Sequence, residues 1–311
     1  MKRKSKKSLG KRIVRDWQLY LISLLPVLYI LIFNYGPMYG VQIAFKDYLP
    51  VNGIMGSEWV GFKWFENFLT SVKFKEIFSN TVILSVYSMV VSFPLPIIFA
   101  LILNALQSER YKKFAQTVSY MPHFISTTVM VSILMMIFSP INGIYGNLFR
   151  LFGGDGYPTD FRAAAEAFRH LYVWSGVWQQ LGWDSIIYIA ALSSVSAELH
   201  EAAQLDGASR FKRMIHIDLP TITPTIGILL IMRCGSLVSI GFDKVYQMQS
   251  TVNLQTAEVI STYVYKVGMG SFKDFSYGAA VGLFNSAINL TLLLIVNYIT
   301  KKMTDNEVAL V

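Results

Sequence analysis

The sequence predicts an all-α integral membrane protein whose chain crosses the bilayer as six helices. The first supporting observation is composition: of 311 residues, 53% are hydrophobic and only 15% are charged, and the mean hydropathy is +0.44. The second is a set of apolar stretches long enough to cross a bilayer core, which requires about twenty residues in helical form. The third is an excess of lysine and arginine in alternate connecting segments, which is typical of a polytopic membrane protein.

Six stretches are expected to span the membrane, and each must be helical because no backbone group can stay unpaired in lipid. They lie at residues 17–36, 78–103, 114–138, 171–193, 222–242 and 276–300. We therefore divide the chain into three parts: a basic tail at residues 1–16, a transmembrane domain at 17–300 and a short tail at 301–311.

The basic opening segment MKRKSKKSLGKR has the charge of a secretory signal. The apolar run that follows is too long for one and has no small-residue cleavage site, so we interpret the segment as an uncleaved cytoplasmic end. The bias of lysine and arginine then places both termini in the cytoplasm. The formal net charge of +8 thus reflects membrane topology and contact with anionic lipid, not nucleic-acid binding.

Residue counts and spacing exclude several kinds of site. The single cysteine, Cys234, permits no disulfide framework, and the four histidines show no metal-ligand spacing, so no metal site is expected. The sequence contains no phosphate-binding GxxxxGK[ST] loop. We therefore expect no cofactor on this chain, and any ATP that drives it must bind another chain.

The outer loops carry two structured segments. In EWVGFKWFENFL, aromatic and apolar side chains at helical spacing predict a helix at the membrane surface: Trp59, Phe62, Phe65, Phe68 and Leu69. The segment SPINGIYGNLFRLFGGDGYP is rich in glycine, proline and asparagine, which predicts turns leading into a short helix.

The longest inner loop, residues 194–221, is called the EAA loop below. Ser196 can cap a helix in it, and Gly207 supplies the left-handed residue that ends this helix. A second helix is expected after the turn, with an apolar face formed by Phe211, Ile215 and Leu219. Pro220 is expected to end that second helix before the fifth span begins.

The first helix of the EAA loop has small residues beside carboxylates. Ala202 and Ala203 lie on one side, with Glu201 and Asp206 next to them. A thin, charged helix of this kind fits a groove on a partner protein. An amphipathic connector packed on the protein's own helices would show the same spacing, so the pattern alone leaves both interpretations open.

The EAA loop is similar to the coupling loop of binding-protein-dependent ABC importer permeases, whose motif is EAA, three residues, G and a later LP. The segment EAAQLDGASRFKRMIHIDLPTITP matches at Glu201, Ala202, Ala203, Asp206, Gly207, Ala208, Leu219 and Pro220. Other segments resemble the complex-carbohydrate permeases of the lipoprotein-linked, oligosaccharide type: NYGPMYGVQIAFKDY, YMPHFISTTVM, GWDSIIYIAALS, GFDKVYQM and DFSYGAAVGLFNSAINL. The resemblance covers nearly the whole chain.

That resemblance implies a permease subunit of an ATP-driven importer, not an enzyme, in the cytoplasmic membrane of a bacterium. The partners it implies are a second homologous permease forming a heterodimer, two cytoplasmic ATPase subunits that bind ATP and Mg, an extracytoplasmic sugar-binding lipoprotein and an oligosaccharide substrate. Glu201 would pair with an arginine of the ATPase. Ala202, Ala203 and Gly207 would keep the helix thin, and Asp206 would cap the turn.

A path for sugars should carry aromatic faces and amide or carboxylate side chains inside the spans. The candidates are Trp174, Trp178 and Gln179 on the predicted fourth span, and Asn285 and Asn289 on the sixth. An aromatic belt at the outer interface would also explain the tryptophans. A helix-packing seam with hydrogen bonds between helices would also explain the asparagines.

Two ionisable residues lie inside predicted spans, Asp184 on the fourth and Arg233 on the fifth. Isolated charges are costly at that depth, so each should have a partner or face a wet cavity. Asp184 and Arg233 either pair with each other, which we favour, or line a water-filled path and hold sugar hydroxyls.

Two other classes of function fit the sequence less well. A secondary transporter or channel for small polar solutes should show inverted repeats or a chain of intramembrane charges. A membrane enzyme should show a catalytic carboxylate cluster, a metal motif or a nucleophile with its base. The sequence has none of these patterns.

Overall fold

A computed structural model of the chain describes residues 15–238, 240–270 and 273–303. Most of the two predicted tails, 1–16 and 301–311, therefore lies outside the described residues. The longer helices are α1 (Trp17–Ile30), α2 (Lys63–Thr70), α3 (Val72–Ser92), α4 (Pro94–Asn104), α5 (Glu109–Tyr120), α6 (Thr127–Ile137), α7 (Ile144–Leu151), α8 (Ala165–Leu192), α9 (Ala197–Leu205), α10 (Leu219–Gly235), α11 (Ile260–Met269) and α12 (Phe275–Met303).

Shorter elements join these helices. They are π turns at Leu31–Tyr35 and Met214–Asp218, 3₁₀ helices at Tyr39–Phe45 and Met121–Phe124, and short α-helices at Gly36–Met38, Gly53–Gly56, Arg210–Arg213, Phe242–Met248 and Leu254–Ala257. Strands β1 (Lys46–Asp47) and β2 (Glu58–Trp59) pair antiparallel. The all-α prediction is wrong at this hairpin, where stacking of Phe45 on Trp59, with ring centroids 5.6 Å apart, holds the two strands together.

In the described part of the chain, four helical stretches are long and apolar enough to cross a membrane: Trp17–Phe45, Val72–Asn104, Arg210–Gly235 and Phe275–Tyr298. A fifth is obtained if α5 and α6, with the turn between them, count as one span. α8 corresponds to the predicted fourth span and has 28 residues, but it is less apolar because it includes Arg169, Gln180 and Asp184.

The predicted third span is not one straight helix, because the chain bends by 100° between Glu109–Phe124 and Thr127–Ile137. Pro122 and the cap of the following helix cause the break: Ser126 Oγ accepts the backbone N–H of Val129 at 3.4 Å. The carbonyl freed at Ile125 accepts the side-chain amide of Gln179 on α8 at 2.7 Å. A neighbouring helix thus replaces the hydrogen bond that the bend removes.

The fifth span differs from the prediction at both ends. Pro220 does not end a helix, since the chain is helical from Arg210 to Gly235 and the wider π turn at Met214–Asp218 accommodates the missing N–H of the proline. α10 ends at Gly235, not near residue 242. Beyond it, the N–H of Val238 donates to Asn289 Oδ1 on α12 at 3.0 Å.

The predicted surface helix is shorter than its aromatic pattern. α2 begins at Lys63, so Trp59 lies in β2 and Phe62 precedes the helix; both side chains are exposed. Phe68, predicted to lie at the membrane surface, is fully buried and touches Phe74 and Phe284 instead. The turns and short helix predicted near residue 144 are present as α7.

The core of the subunit lies where α3, α4, α8, α10 and α12 meet. One cluster centres on Leu84 and Phe168, and a second on Ile97, Tyr188 and Ile222. A third joins the outer helix α2 to α3 and α12. α1 is outside all three clusters and has no buried residue.

We predict that Gly182→Ala destabilises the subunit, because a Cβ at this position on α8 would overlap the backbone carbonyl of Ser119 on α5. Overpacking of this kind costs about 1–3 kcal/mol. Thermal unfolding of the purified protein in detergent measures the loss. Gly282→Ala on α12, where a Cβ would meet no atom within 4 Å, is the matched control. Equal stability of the two variants would contradict the close approach of α5 and α8.

Candidate functional site

The first helix of the EAA loop forms as its local sequence predicts. Ser196 is the N-cap of α9, and its Oγ accepts the backbone N–H of Glu198 at 3.2 Å. Gly207 has φ +76°, a left-handed conformation that glycine adopts without strain, and it follows the end of the helix. Both predicted ends of this helix are therefore confirmed.

The EAA residues form an exposed surface on α9. Glu201 and Ala202 are exposed, Ala203 is half-buried, and the helix has no buried residue. Among the described residues, the carboxylate of Glu201 has no hydrogen-bond or ion-pair partner. Asp206 is the C-cap residue, but only its backbone N–H takes part, donating to the carbonyl of Ala202. The predicted capping of the turn by the Asp206 side chain is absent from the described contacts.

Polar contacts tie α9 to the ends of two long helices. His200 Nε2 lies 3.0 Å from Oδ1 of Asp218, which is buried where the π turn meets α10. Asn104 at the end of α4 donates to the same carboxylate oxygen at 3.4 Å. Arg213 donates to the carbonyl of His200 at 3.4 Å and to Oε1 of Gln204 at 3.3 Å. A displacement of α9 would therefore act on Asp218 at the start of α10 and, through that carboxylate, on α4.

Asp184 and Arg233 form an ion pair, as favoured from the sequence. Nη2 of Arg233 donates to Oδ2 of Asp184 at 2.6 Å, with side-chain exposures of 48% and 27%. Arg233 lies in the last turn of α10, where the helix dipole favours a cation. α10 ends two residues after Arg233, so Arg233 lies near an end of this helix.

The same ion pair also lines a cavity, so the two interpretations of these residues are compatible. The cavity has a volume of about 250 Å³ and is lined by α3, α4, α8 and α10, with Ser92, Pro96 and Tyr188 in its wall. A second cavity of about 200 Å³ adjoins it and shares Ser92, Arg233 and Ser236. We call the two together the central cavity. It combines hydroxyl groups, one guanidinium and one carboxylate with an apolar wall.

The other path candidates lie elsewhere. Trp174 and Trp178 line a separate apolar cavity of about 430 Å³ between α6 and α8. Nε1 of Trp174 donates to the hydroxyl of Tyr87 at 3.0 Å, and that hydroxyl lies 2.8 Å from Nδ1 of His170. The tryptophans are half-exposed, and in the described part of the chain they do not reach the central cavity.

The amide candidates are placed in helix packing. Gln179 is buried and bonds the carbonyl of Ile125, and Asn289 is buried and bonds the N–H of Val238. Asn285 Oδ1 is buried and has no hydrogen-bond partner among the described residues. None of these amides lines the central cavity as described. The hydrogen bond of Asn289 therefore agrees with the helix-packing interpretation of the asparagines on α12.

Sequence reasoning missed the residues that hold the EAA loop and most of the cavity wall. Asp218 and His200 are eighteen positions apart, and nothing local links them. The serines of α3 could have been found, since Ser85, Ser88 and Ser92 recur at helical spacing within an apolar stretch. Among the described residues, no group of three or more His, Cys, Asp or Glu side chains could hold a metal ion.

Comparison with known proteins supports the resemblance of the EAA loop. Residues 92–305 match the family described as the binding-protein-dependent transport system inner membrane component. Protein LplB of Bacillus subtilis (strain 168) is 43% identical over 94% of this chain and 91% of its own. The polygalacturonan/rhamnogalacturonan transport system permease protein YteP of the same organism is 39% identical over 99% of this chain and 95% of its own.

Two solved structures have the same fold. One is a bacterial ABC transporter involved in the import of the acidic polysaccharide alginate, whose matching chain has a TM-score of 0.87 and 37% identity over 96% of this chain and all of that chain. The other is a bacterial alginate ABC transporter in complex with an alginate pentasaccharide-bound periplasmic protein, with a TM-score of 0.87 and 35% identity over 98% of this chain.

We predict that Asp184→Asn and Arg233→Gln destabilise the assembled transporter non-additively, because each single change leaves the other charge partly buried without its partner. The double variant should lose less stability than the sum of the singles, by about 1 kcal/mol or more. Thermal unfolding in detergent measures the cycle. The exposed pair Lys63 and Asp47, at 3.3 Å, is the control, with an expected coupling of about 0.2–1 kcal/mol. Strictly additive losses at Asp184 and Arg233 would refute the pair.

Proposed function

This chain belongs to the family of inner membrane components of binding-protein-dependent transport systems, and from that premise we propose that it imports an oligosaccharide delivered by an extracytoplasmic binding protein. It is the permease subunit of a sugar ABC importer and a multi-pass protein of the cytoplasmic membrane. The relatives named above include permeases for polygalacturonan, rhamnogalacturonan and alginate. The alternative of a secondary transporter or channel has no support in this family.

The proposed topology has six spans, with both termini and the EAA loop in the cytoplasm. The bent pair α5 and α6 is the third span, and α8 is the fourth. The length of α8, its packing between α4 and α10, and the basic segment at residues 1–16 support this arrangement. Residues 17–300 then form one transmembrane domain, and residues 301–311 a cytoplasmic tail.

The observation that carries the proposed mechanism is the exposed carboxylate of Glu201, which has no partner among the described residues and lies on a helix without a fully buried residue. We assign α9 to a groove on a separate cytoplasmic ATPase subunit, which binds ATP and Mg. Glu201 meets an arginine there, while Ala202, Ala203 and Gly207 let the backbone approach closely. The contact of His200 with Asp218 then passes the movement of α9 to α10, and Asn104 passes it to α4.

The complete transporter in this proposal contains a second homologous permease, two ATPase subunits and a sugar-binding lipoprotein. The apolar surface of α1, which no other part of the described chain covers, supports contact with lipid and with the second permease. Of the path candidates, Asp184 and Arg233 are the residues that we place beside the substrate. Trp174 and Trp178 line a different cavity, Gln179 and Asn289 take packing roles, and Asn285 lies outside the central cavity.

We predict that Glu201→Ala and Ala203→Trp each lower oligosaccharide transport about tenfold or more, since loss of one desolvated pair or a clash in the groove removes roughly 1–3 kcal/mol of docking. Uptake of labelled oligosaccharide into proteoliposomes measures the effect. Insertion and thermal stability should be unchanged, because α9 lies on the surface. Glu109→Ala, an exposed carboxylate at the start of α5, is the control and should transport normally. Normal transport by both α9 variants would reject the coupling role.

We also predict that the purified chain alone hydrolyses no ATP, because it has no phosphate-binding loop. Hydrolysis should appear when the partner ATPase is added, and substrate-loaded binding protein should stimulate it. Phosphate release from the two preparations is the measurement. Turnover by the isolated chain, at a rate that survives further purification, would overturn the assignment.

A further inference from the structure

The central cavity has a row of hydroxyl groups along one wall. Ser85, Ser88 and Ser92 lie on one face of α3, and Ser236 follows the end of α10 opposite them. Ser85 is 4% exposed. The hydroxyl oxygens of Ser85 and Ser88 have no hydrogen-bond partner among the described residues. Buried hydroxyls are usually hydrogen-bonded, so these two are available to a polar group that enters the cavity.

The guanidinium of Arg233 lies between the two halves of the cavity and is only partly used. Its Nη2 donates to Asp184, while Nε and Nη1 have no hydrogen-bond partner in the described part of the chain. Half of the side chain is exposed. Hydrogen bonds from a guanidinium to a carboxylate are charge-assisted and strong, so the unused N–H groups at Nε or at Nη1 can hold a second carboxylate beside that of Asp184.

We propose that the central cavity is a subsite for an acidic sugar, in which Arg233 holds the carboxylate of a uronic acid residue and the serines of α3 hold its hydroxyls. The inference rests on the proposed function and deepens it by naming the class of substrate. Asp184 holds Arg233 in place while the subsite is empty. It competes with the substrate for the same cation once the sugar arrives.

That competition suits a transport path. A lone arginine would hold an acidic sugar tightly and would be an uncompensated charge between substrates. The carboxylate of Asp184 removes both problems, because the cation is always paired and the sugar is held weakly enough to leave. A neutral sugar could use the serines but would gain nothing from the cation, so the subsite distinguishes the two by charge.

The test compares trigalacturonate with its methyl triester, which keeps the ring hydroxyls and loses the charge. Binding of each probe is measured by titration calorimetry on the assembled transporter in neutral detergent, without binding protein. The wild type should bind the acid about tenfold more tightly than the ester. Equal affinity for the two probes, or no binding of either, would overturn the proposal.

Variants distinguish the contribution of the Arg233 charge to binding from that of the serine hydroxyls. Arg233→Gln should reduce the preference for the acid to within about twofold of unity, while binding of the ester changes little. Arg233→Lys keeps the positive charge but lacks the planar guanidinium, so it should retain part of the preference for the acid over the ester. Retention in this variant shows that the loss in Arg233→Gln is due to charge and not to misfolding. Ser88→Ala should weaken both probes alike, by about twofold to fivefold.

Asp184→Asn is the decisive variant, because it removes the competing carboxylate. Its affinity for the acid should rise about threefold or more while its affinity for the ester is unchanged. A fall in affinity for the acid, or a full preference for the acid in Arg233→Gln, would overturn the subsite. ATP-driven uptake by the wild type is measured in parallel. Uptake without any preference for the acid would reject the subsite and leave the importer function intact.

Discussion

The rest of the structure depends on the requirement that every backbone N–H and C=O inside a bilayer has a hydrogen-bond partner. Two of the long helical stretches are interrupted, and each interruption is paired by an amide side chain from a neighbouring helix. Gln179 of α8 bonds the carbonyl of Ile125 at the bend between α5 and α6, and Asn289 of α12 bonds the N–H of Val238 beyond α10. A side-chain amide can pair either a free carbonyl or a free N–H, because it contains both a donor and an acceptor. These two bonds also fix which helices lie side by side.

The polarity of the central cavity follows from the second of these breaks. Because α10 ends at Gly235, Arg233 lies in a terminal turn whose carbonyls favour a cation, and Ser236 enters the cavity wall. Asp184 comes from α8 and balances the charge. A continuous helix to residue 242 would have turned the residues after Gly235 in other directions. The helix end and the ion pair are therefore parts of one arrangement.

Sequence reasoning succeeded where the structure depends on neighbouring residues or on the cost of an isolated charge in a bilayer. Ser196 and Gly207 define the two ends of α9 through local backbone chemistry, so that helix could be predicted with its boundaries. The pairing of Asp184 with Arg233 could be favoured because isolated charges are disfavoured in a bilayer. The contact of His200 with Asp218 could not, since it forms only when the EAA loop folds back on α10.

The differences between the predicted and observed surroundings of particular residues have a related cause. Gln179 and Asn289 were selected because amides bind sugar hydroxyls, yet the same chemical groups pair interrupted backbone, and composition does not distinguish the two uses. Pro220 was expected to stop a helix, and the π turn before it removes the obstacle. The bonds of Gln179 and Asn289 depend on atoms that are distant in sequence, and the continuity of the helix at Pro220 depends on a turn geometry that no residue type specifies.

The unburied first helix has a consequence for how such a subunit is made. In water, an apolar helix without a packing partner would drive aggregation, whereas lipid tails solvate it about as well as leucine side chains do. α1 can therefore enter the membrane as a finished element before the helices that follow it in the chain have been synthesised, because lipid alone solvates its apolar surface. Synthesis and insertion of this subunit need not be synchronised with those of its partners, and the order of assembly can be set by which contacts form last.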